Sequence, residues 1–251
     1  MKVGLVGFPL AHSFSKKYFE EKFQREQITN ASYELFPIEA IDKLPALLLQ
    51  EQLNGLNVTI PYKEQVLAYC THLSDEVAAI GAANCLKIIG NEVHAFNTDV
   101  FGFAGSIQPY LKPHHSTALI LGTGGSAKAV QFVLKQLGIP FQHVSRSSMH
   151  GCLTYSALSL ELIEAHPIII NTTPLGMFPN IVAKPAIPYS GLSAKHIVFD
   201  LVYNPAQTAF LQAAAQQGAV VVNGLEMLHL QAERSWEIWS NSTCVAHLAK
   251  H

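Results

Sequence analysis

The sequence predicts an α/β fold in two units, and three observations carry that prediction. The first hundred residues alternate short aliphatic runs with amphipathic stretches. A second alternating series opens after the Pro113-His114-His115-Ser116 loop. Of the 251 residues, 49% are hydrophobic and 14% charged, enough apolar material for two ordinary cores.

In chain order, KVGLVG at 2–7 reads as a strand and Ser13 to Gln27 as a helix. SYELFPI at 32–38 is a second strand, Glu39 to Gln50 a second helix, and GLNVTIP at 55–61 a third strand. This βαβαβ rhythm calls for a mostly parallel sheet covered by helices. Ala83 to Ile89 and Glu92 to Phe96 flank Gly90-Asn91, a dipeptide suited to a two-residue hairpin, so an antiparallel ribbon is expected to close the first unit as a mixed sheet. In the second unit, TALILG runs into a glycine-rich turn and an apolar-periodic helix that Gly138 stops near Leu137. Strands follow at FQHVS, PIIIN, HIVFDLV and AVVVN, the order of a Rossmann-like doubly wound sheet. Gly224 to Trp239 is the last helix, with Leu225, Leu228, Ala232, Trp236 and Trp239 on one side, expected to pack back on the first unit. The expected boundaries are 1–101 completed by 226–251 for the first domain, and 102–225 for the second.

Charge and composition exclude several classes of function. The formal net charge is -2, and the 16 Lys and Arg residues form no long run, which argues against nucleic acid or an anionic membrane surface as a partner. No apolar run reaches spanning length, and the chain opens directly on a strand, so a cytoplasmic protein acting on a small molecule is expected. Cys70, Cys85, Cys152 and Cys244 are scattered and form no C-x-x-C pair. The 12 histidines show no recognised ligand spacing, and no metal is implied.

Two segments carry chemistry. In NVTIPYK, at 57–63, the apolar run Leu56 to Ile60 reads as a strand and Pro61 cannot continue its ladder. Lys63 therefore falls just past a strand end, where ligands sit in open α/β sheets. Gly122, Gly124 and Ala127 fit G-x-G-x-x-G/A between strand and helix. The first glycine permits the turn, the second admits a pyrophosphate, and the helix N-terminus offers free N–H groups. Where a carboxylate would bind a ribose 2′-hydroxyl about 20 residues on, the chain carries Ser145-Arg146-Ser147. A guanidinium flanked by hydroxyls pairs with a 2′-phosphate, so NADP is the expected cofactor, a solvated arginine being the alternative. Ser13, Ser15, Thr59, Asn84 and Asn97-Thr98-Asp99 lie at strand ends or in loops. Each also has a structural use, Ser13 and Asp99 as helix caps and Asn84 in a turn.

Together these motifs resemble, in order and over nearly the whole chain, the shikimate dehydrogenase family: GFPLAHSFS at 7–15, NVTIPYK, GAANC at 81–85, NTD at 97–99, GTGGSA at 122–127, NTTPLGM at 171–177, DLVYNP at 200–205 and GLEMLHLQA at 224–232. The resemblance implies two domains with the active site in the cleft between them, and reversible NADPH-dependent reduction of 3-dehydroshikimate to shikimate in aromatic amino-acid biosynthesis. It implies that Ser13 and Ser15 bind the substrate carboxylate, that Thr59, Asn84 and Gln231 bind ring oxygens, that Tyr203 lines the pocket, and that Lys63 and Asp99 are the catalytic pair. The cofactor would lie on Gly122, Gly124, Gly125, Ser126, Ala127, Ser145, Arg146, Ser147, Thr172, Leu201 and Gly224. The chain departs from the family pattern in Lys16-Lys17-Tyr18 after Ser15, in Ser-Arg-Ser for the commoner Asn-Arg-Thr, and in Thr123 for alanine. A quinate-active paralogue and a non-catalytic ligand sensor on the same scaffold are the alternatives, and monomer or homodimer is open.

Overall fold

The computed structural model describes residues 1–10, 13–149 and 151–241. The tail of the expected 226–251 segment, with Cys244, lies outside the described residues, as do Ala11 and His12 of GFPLAHSFS. The chain divides into two compact units, one comprising Met1–Thr98 and the chain from Ala232 onward, the other Asp99–Gln231.

The first unit runs β1 (Lys2–Gly7), α1 (Phe14–Arg25), β2 (Ser32–Pro37), α2 (Leu44–Glu51), β3 (Gly55–Val58), β4 (His72–Leu73), α3 (Asp75–Ile80), β5 (Cys85–Ile89) and β6 (Glu92–Phe96). Its sheet has the order β2-β1-β3-β5-β6-β4. β1 pairs in parallel with β2 and β3, while β5 is antiparallel to both β3 and β6. Ile89 faces Glu92 across the two-residue turn, and Gly90 has φ 59°. The expected ribbon is present but does not close the sheet, because β4 pairs in parallel outside β6. β4 spans two residues, too few to print a periodicity on the sequence.

Period-two alternation sorts the side chains of this sheet between two cores. Val6, Leu56, Val58, Leu86, Val93 and Ala95 pack under Leu44, Val66 and Val77. On the other face Val3, Leu5, Tyr33 and Cys85 meet Phe19 and Phe23 of α1 together with Ala232, Ile238 and Trp239. Phe19 stacks on Tyr33 at 4.4 Å between ring centroids, and the Trp239 indole N–H donates to the Leu86 carbonyl at 2.9 Å. Those tryptophan contacts belong to the final helix, α8 below, which does pack back on the first unit's sheet.

The second unit continues with α4 (Thr98–Ile107), β7 (Ala118–Leu121), α5 (Gly125–Gln136), β8 (Phe141–Ser145), β9 (Cys152–Thr154), α6 (Leu160–Glu164), β10 (Ile168–Asn171), β11 (Ile197–Asp200), α7 (Ala209–Ala215) and β12 (Val220–Asn223), and α8 (Leu225–Ser240) starts in it and from Ala232 belongs to the first unit. All six strands are parallel, in the order β12-β11-β10-β7-β8-β9. β7, β10 and β11 are buried throughout, which is why these three read as nearly unbroken apolar runs. Ile120, Ile170 and Phe199 meet Val130 and Val133 of α5 and Phe103 of α4. Leu121, Ile169 and Val198 meet Ile163 of α6 and Phe210 of α7.

Two local expectations need correction. β3 ends at Val58, three residues before Pro61 rather than at it, and Ile60 is 63% exposed. Leu225 is also exposed, and Met227 takes the buried place at the start of α8.

Candidate active site

In the first unit, the ends of four strands bring the expected polar residues to one edge of the sheet. β1 and β3 are parallel neighbours, so the loops that follow them run side by side. Thr59 N–H donates to Val6 O at 3.0 Å and Phe8 N–H to Ile60 O at 3.1 Å. The antiparallel β5 starts where β3 ends, so Val58 N–H donates to Asn84 O and Ala83 N–H to Lys63 O, both at 2.8 Å. β6 ends beside β5, and Asn84 N–H reaches Phe96 O at 3.1 Å. Thr59, Lys63 and Asn84 are thereby fixed on a common backbone frame at that edge, and the segment after β1 leads to Ser13 at the N-cap of α1 and Ser15 in its first turn.

Behind this edge runs a chain of buried hydrogen bonds that joins residues far apart in sequence. The Tyr33 phenol, with the Ser15 hydroxyl close by, donates to Asn57 Oδ1 at 2.9 Å. Asn57 Nδ2 donates to Ser235 Oγ at 2.9 Å and to Asn84 O at 3.2 Å. Ser235 Oγ lies 3.3 Å from Thr98 Oγ1, and Asn84 Oδ1 accepts from the Thr98 N–H at 2.6 Å. Burial pushes the Tyr33 phenol well above its ordinary range, so it stays a neutral donor. The roles of Tyr33, Asn57 and Ser235 have no signal in the sequence, since their partners lie up to 178 residues away.

The structural uses weighed for these residues are only partly realised. Ser13 stands at the N-cap position of α1, yet its side chain caps nothing. Its Oγ is buried and without a hydrogen-bond partner. An orphaned buried hydroxyl costs stability unless something occupies it, so Ser13 Oγ has its hydrogen-bonding capacity unused. Asn84 is no simple turn residue, because its side chain holds Thr98. Asp99 lies inside α4, one residue beyond Thr98, and is 6% exposed.

In the second unit the expected cofactor residues gather at the C-terminal ends of the strands. Gly122 N–H donates to Val144 O, Thr172 N–H to Leu121 O and Leu201 N–H to Asn171 O, at 2.9 to 3.0 Å. These bonds draw the loops after β7, β10 and β11 together where the winding order reverses, between β7 and β10. Gly122 has φ 119°, and a Cβ there would stand 2.5 Å from Thr172 Oγ1. At Gly224 a Cβ would stand 2.1 Å from the Leu201 carbonyl oxygen, so glycine alone fits that close approach.

Gly124 is different, because a Cβ added there would meet nothing within 4 Å. It is the N-cap of α5 and supplies no side-chain cap, so the first turn, Gly125, Ser126 and Ala127, starts from an open cradle. An uncapped helix start over a glycine turn fits a pyrophosphate. His143, which the sequence reading passed over, bonds Gly122 O at 3.0 Å and Gln131 Oε1 at 3.1 Å and so fixes the loop to α5.

Arg146 is exposed just past β8, next to the buried Ser145, whose hydroxyl accepts from the Ser147 N–H at 3.4 Å. That turn leaves the arginine at the C-terminal end of β8, on the strand next to β7. Tyr203 is half-buried in the loop after β11, and Gln231, also half-buried, donates to Leu228 O at 3.0 Å. No helix among the described residues is long and apolar enough to cross a membrane.

Residues 5–86 match the family model described as the shikimate dehydrogenase substrate binding domain. The NADP(+) shikimate dehydrogenase of Ignicoccus hospitalis is 34% identical over 95% of this chain and 93% of its own. The chain belongs to the shikimate dehydrogenase family. The Staphylococcus haemolyticus member is 33% identical over 96% of this chain and 92% of its own. Among solved members, the Thermus thermophilus shikimate 5-dehydrogenase in complex with NADP(H) and shikimate is 28% identical with a TM-score of 0.84. The match covers 96% of this chain and 93% of that one. For shikimate dehydrogenase 1 of Peptoclostridium difficile the values are 33%, 0.82, 95% and 90%. The two-unit α/β fold, with one sheet wholly parallel, is therefore that of the family.

Proposed function

We propose that this chain is an NADP-dependent shikimate dehydrogenase, catalysing the reversible reduction of 3-dehydroshikimate to shikimate in aromatic amino-acid biosynthesis. The observation that carries the proposal is the backbone frame that holds Thr59, Lys63 and Asn84 together at the strand ends, with the Ser13 hydroxyl in the segment after β1 buried and unpartnered.

The residue types suit the reaction. When bound, NADPH supplies the hydride. As it arrives at the ketone carbon, negative charge grows on the ketone oxygen, and a cationic donor there stabilises the transition state more than the ground state. Lys63 is proposed to supply that charge and pass a proton to the oxygen. Asp99 is proposed to orient the lysine and to hold a substrate hydroxyl. Ser13 and Ser15 receive the carboxylate, Thr59, Asn84 and Gln231 the ring oxygens, and Tyr203 lines the pocket. Arg146, between Ser145 and Ser147, is proposed to pair with the 2′-phosphate. Gly122 to Ala127, with Thr172, Leu201 and Gly224, are proposed to seat the rest of the cofactor. The reading extends to a cytoplasmic protein, monomeric or homodimeric.

Purified protein supplied with shikimate and NADP should raise absorbance at the reduced-nicotinamide band, and kcat/KM should favour shikimate over quinate and NADP over NAD. No turnover with either acid and either cofactor would overturn the proposal.

A further inference from the structure

At the far edge of the first sheet, away from the edge that gathers Lys63 and Asn84, three metal-ligating side chains meet. β4 lies in parallel against β6 with His72 directly opposite His94, and Glu92 falls two residues earlier on the same face. The two imidazoles stack at 4.5 Å between centroids, and both Nε2 atoms face one carboxylate oxygen of Glu92, at 3.6 Å from His72 and 3.2 Å from His94. One ligand atom from each of the three lies within 4.8 Å of the others.

We propose that His72, Glu92 and His94 bind a divalent transition-metal ion of the zinc type. Two imidazole nitrogens and a carboxylate are a zinc donor set, with a water completing the tetrahedron. The ligand atoms lie close together, and the stacked imidazoles have to turn about their side-chain torsions to aim both lone pairs at one ion. His94 is 2% exposed, whereas the Glu92 side chain is 57% exposed, so an ion can enter from the solvent side and keep its water there. Lys87 is the cross-strand neighbour of His94, but its ammonium is turned to the carbonyls of Ile238 and Asn241, at 2.8 and 2.6 Å.

Two features set the strength and effect of the site. His94 Nδ1 is buried with no hydrogen-bond partner, so the outer acceptor that normally supports a histidine ligand is missing. Affinity should fall roughly 10- to 100-fold below that of a fully supported site. A bound ion would also tie the two-residue β4 to β6 and so stabilise the sheet edge by mass action. The primary sequence hides the site, because only the pairing of β4 with β6 brings His72 to the Glu92-Val93-His94 segment.

The test uses full-length protein treated with EDTA and titrated with Zn2+ by calorimetry and with Co2+ by visible absorption. One equivalent should bind, with the intense visible bands of tetrahedral cobalt, and Zn2+ should raise the urea midpoint. His72→Ala and Glu92→Gln, both on exposed or half-exposed groups, should each weaken binding at least tenfold and abolish the rise in midpoint. Dehydrogenase kinetics in EDTA should stay unchanged in both variants. Absence of stoichiometric binding, or binding undiminished in both variants, overturns the proposal.

Discussion

At the scale of single residues, the proposed chemistry separates into groups that act on the substrate and groups that choose the cofactor. Lys63→Ala removes the only side chain assigned both the charge and the proton for the ketone oxygen. The expected outcome is a fall in kcat of about 100- to 10,000-fold, with shikimate still bound in an equilibrium titration. A variant with near-normal kcat would remove Lys63 from the chemistry. Arg146 acts on the other partner. It is exposed and makes its proposed contact only with a 2′-phosphate, so Arg146→Ala should raise KM for NADP by about tenfold to a hundredfold, the worth of a charge-assisted hydrogen bond. KM for NAD should hardly move, and equal losses with both cofactors would refute the phosphate role. Both residues were legible in the sequence for a physical reason. Arg146 follows β8 directly, and Lys63 comes two residues after Pro61, which ends any continuation of β3, so local chain direction marks both positions.

Elements position those residues, and here the sequence told less. Ser15, Asn84 and Thr98 sit on three separate segments, and what ties them together is Tyr33 on β2, Asn57 on β3 and Ser235 on α8. Tyr33→Phe keeps the ring stacked on Phe19 but deletes the hydroxyl between Ser15 and Asn57. Stability should fall by about 1–3 kcal/mol, since Asn57 Oδ1 loses its buried donor. KM for shikimate should rise severalfold with KM for NADP unchanged, as seen by urea unfolding and steady-state kinetics on the same preparation. If both constants moved together, the network would be holding up the fold without placing Ser15. The long periodic elements, α1, α5 and α8, and the apolar strands β7, β10 and β11 were readable because each carries its own pattern over several residues. β4, β9 and α3 were not, being two, three and six residues long. Glu92 and His94 lay in a strand that was read correctly, yet their third partner came from one that was not. Asn57 illustrates the same limit inside a motif that was singled out, because its neighbours in the chain say nothing about Ser235.

At the scale of the whole molecule, a buried acid in the second unit links stability to pH. Asp200 ends β11, is fully buried, and accepts from Asn171 Nδ2 at 2.9 Å, Val202 N–H at 3.0 Å and Thr208 Oγ1 at 2.6 Å. Burial raises its carboxyl from 3.8 to about 6, and the three donors only partly offset that. The folded state therefore binds more protons than the unfolded chain between about pH 4 and pH 6. The stabilising contribution is complete below the unfolded value and is lost as pH rises through about 6. A rise from 3.8 to about 6 corresponds to about 3 kcal/mol. The exposed carboxylates Glu26, Glu39 and Glu161 are held below their ordinary range by hydrogen bonds, from Lys22, Lys43 and Ser159 respectively, and so pull stability in the opposite direction with pH. The comparison must for that reason be made against a variant. Asp200→Asn keeps an oxygen for Asn171 and Val202, and it places an amide against Thr208, whose hydroxyl can turn to accept. Measured by urea unfolding, Asp200→Asn should gain stability relative to the parent as pH rises from 4.5 to 7, and the gain should level off above about 7. Parallel profiles across that range would mean that Asp200 is ionised throughout and that its three donors outweigh its burial.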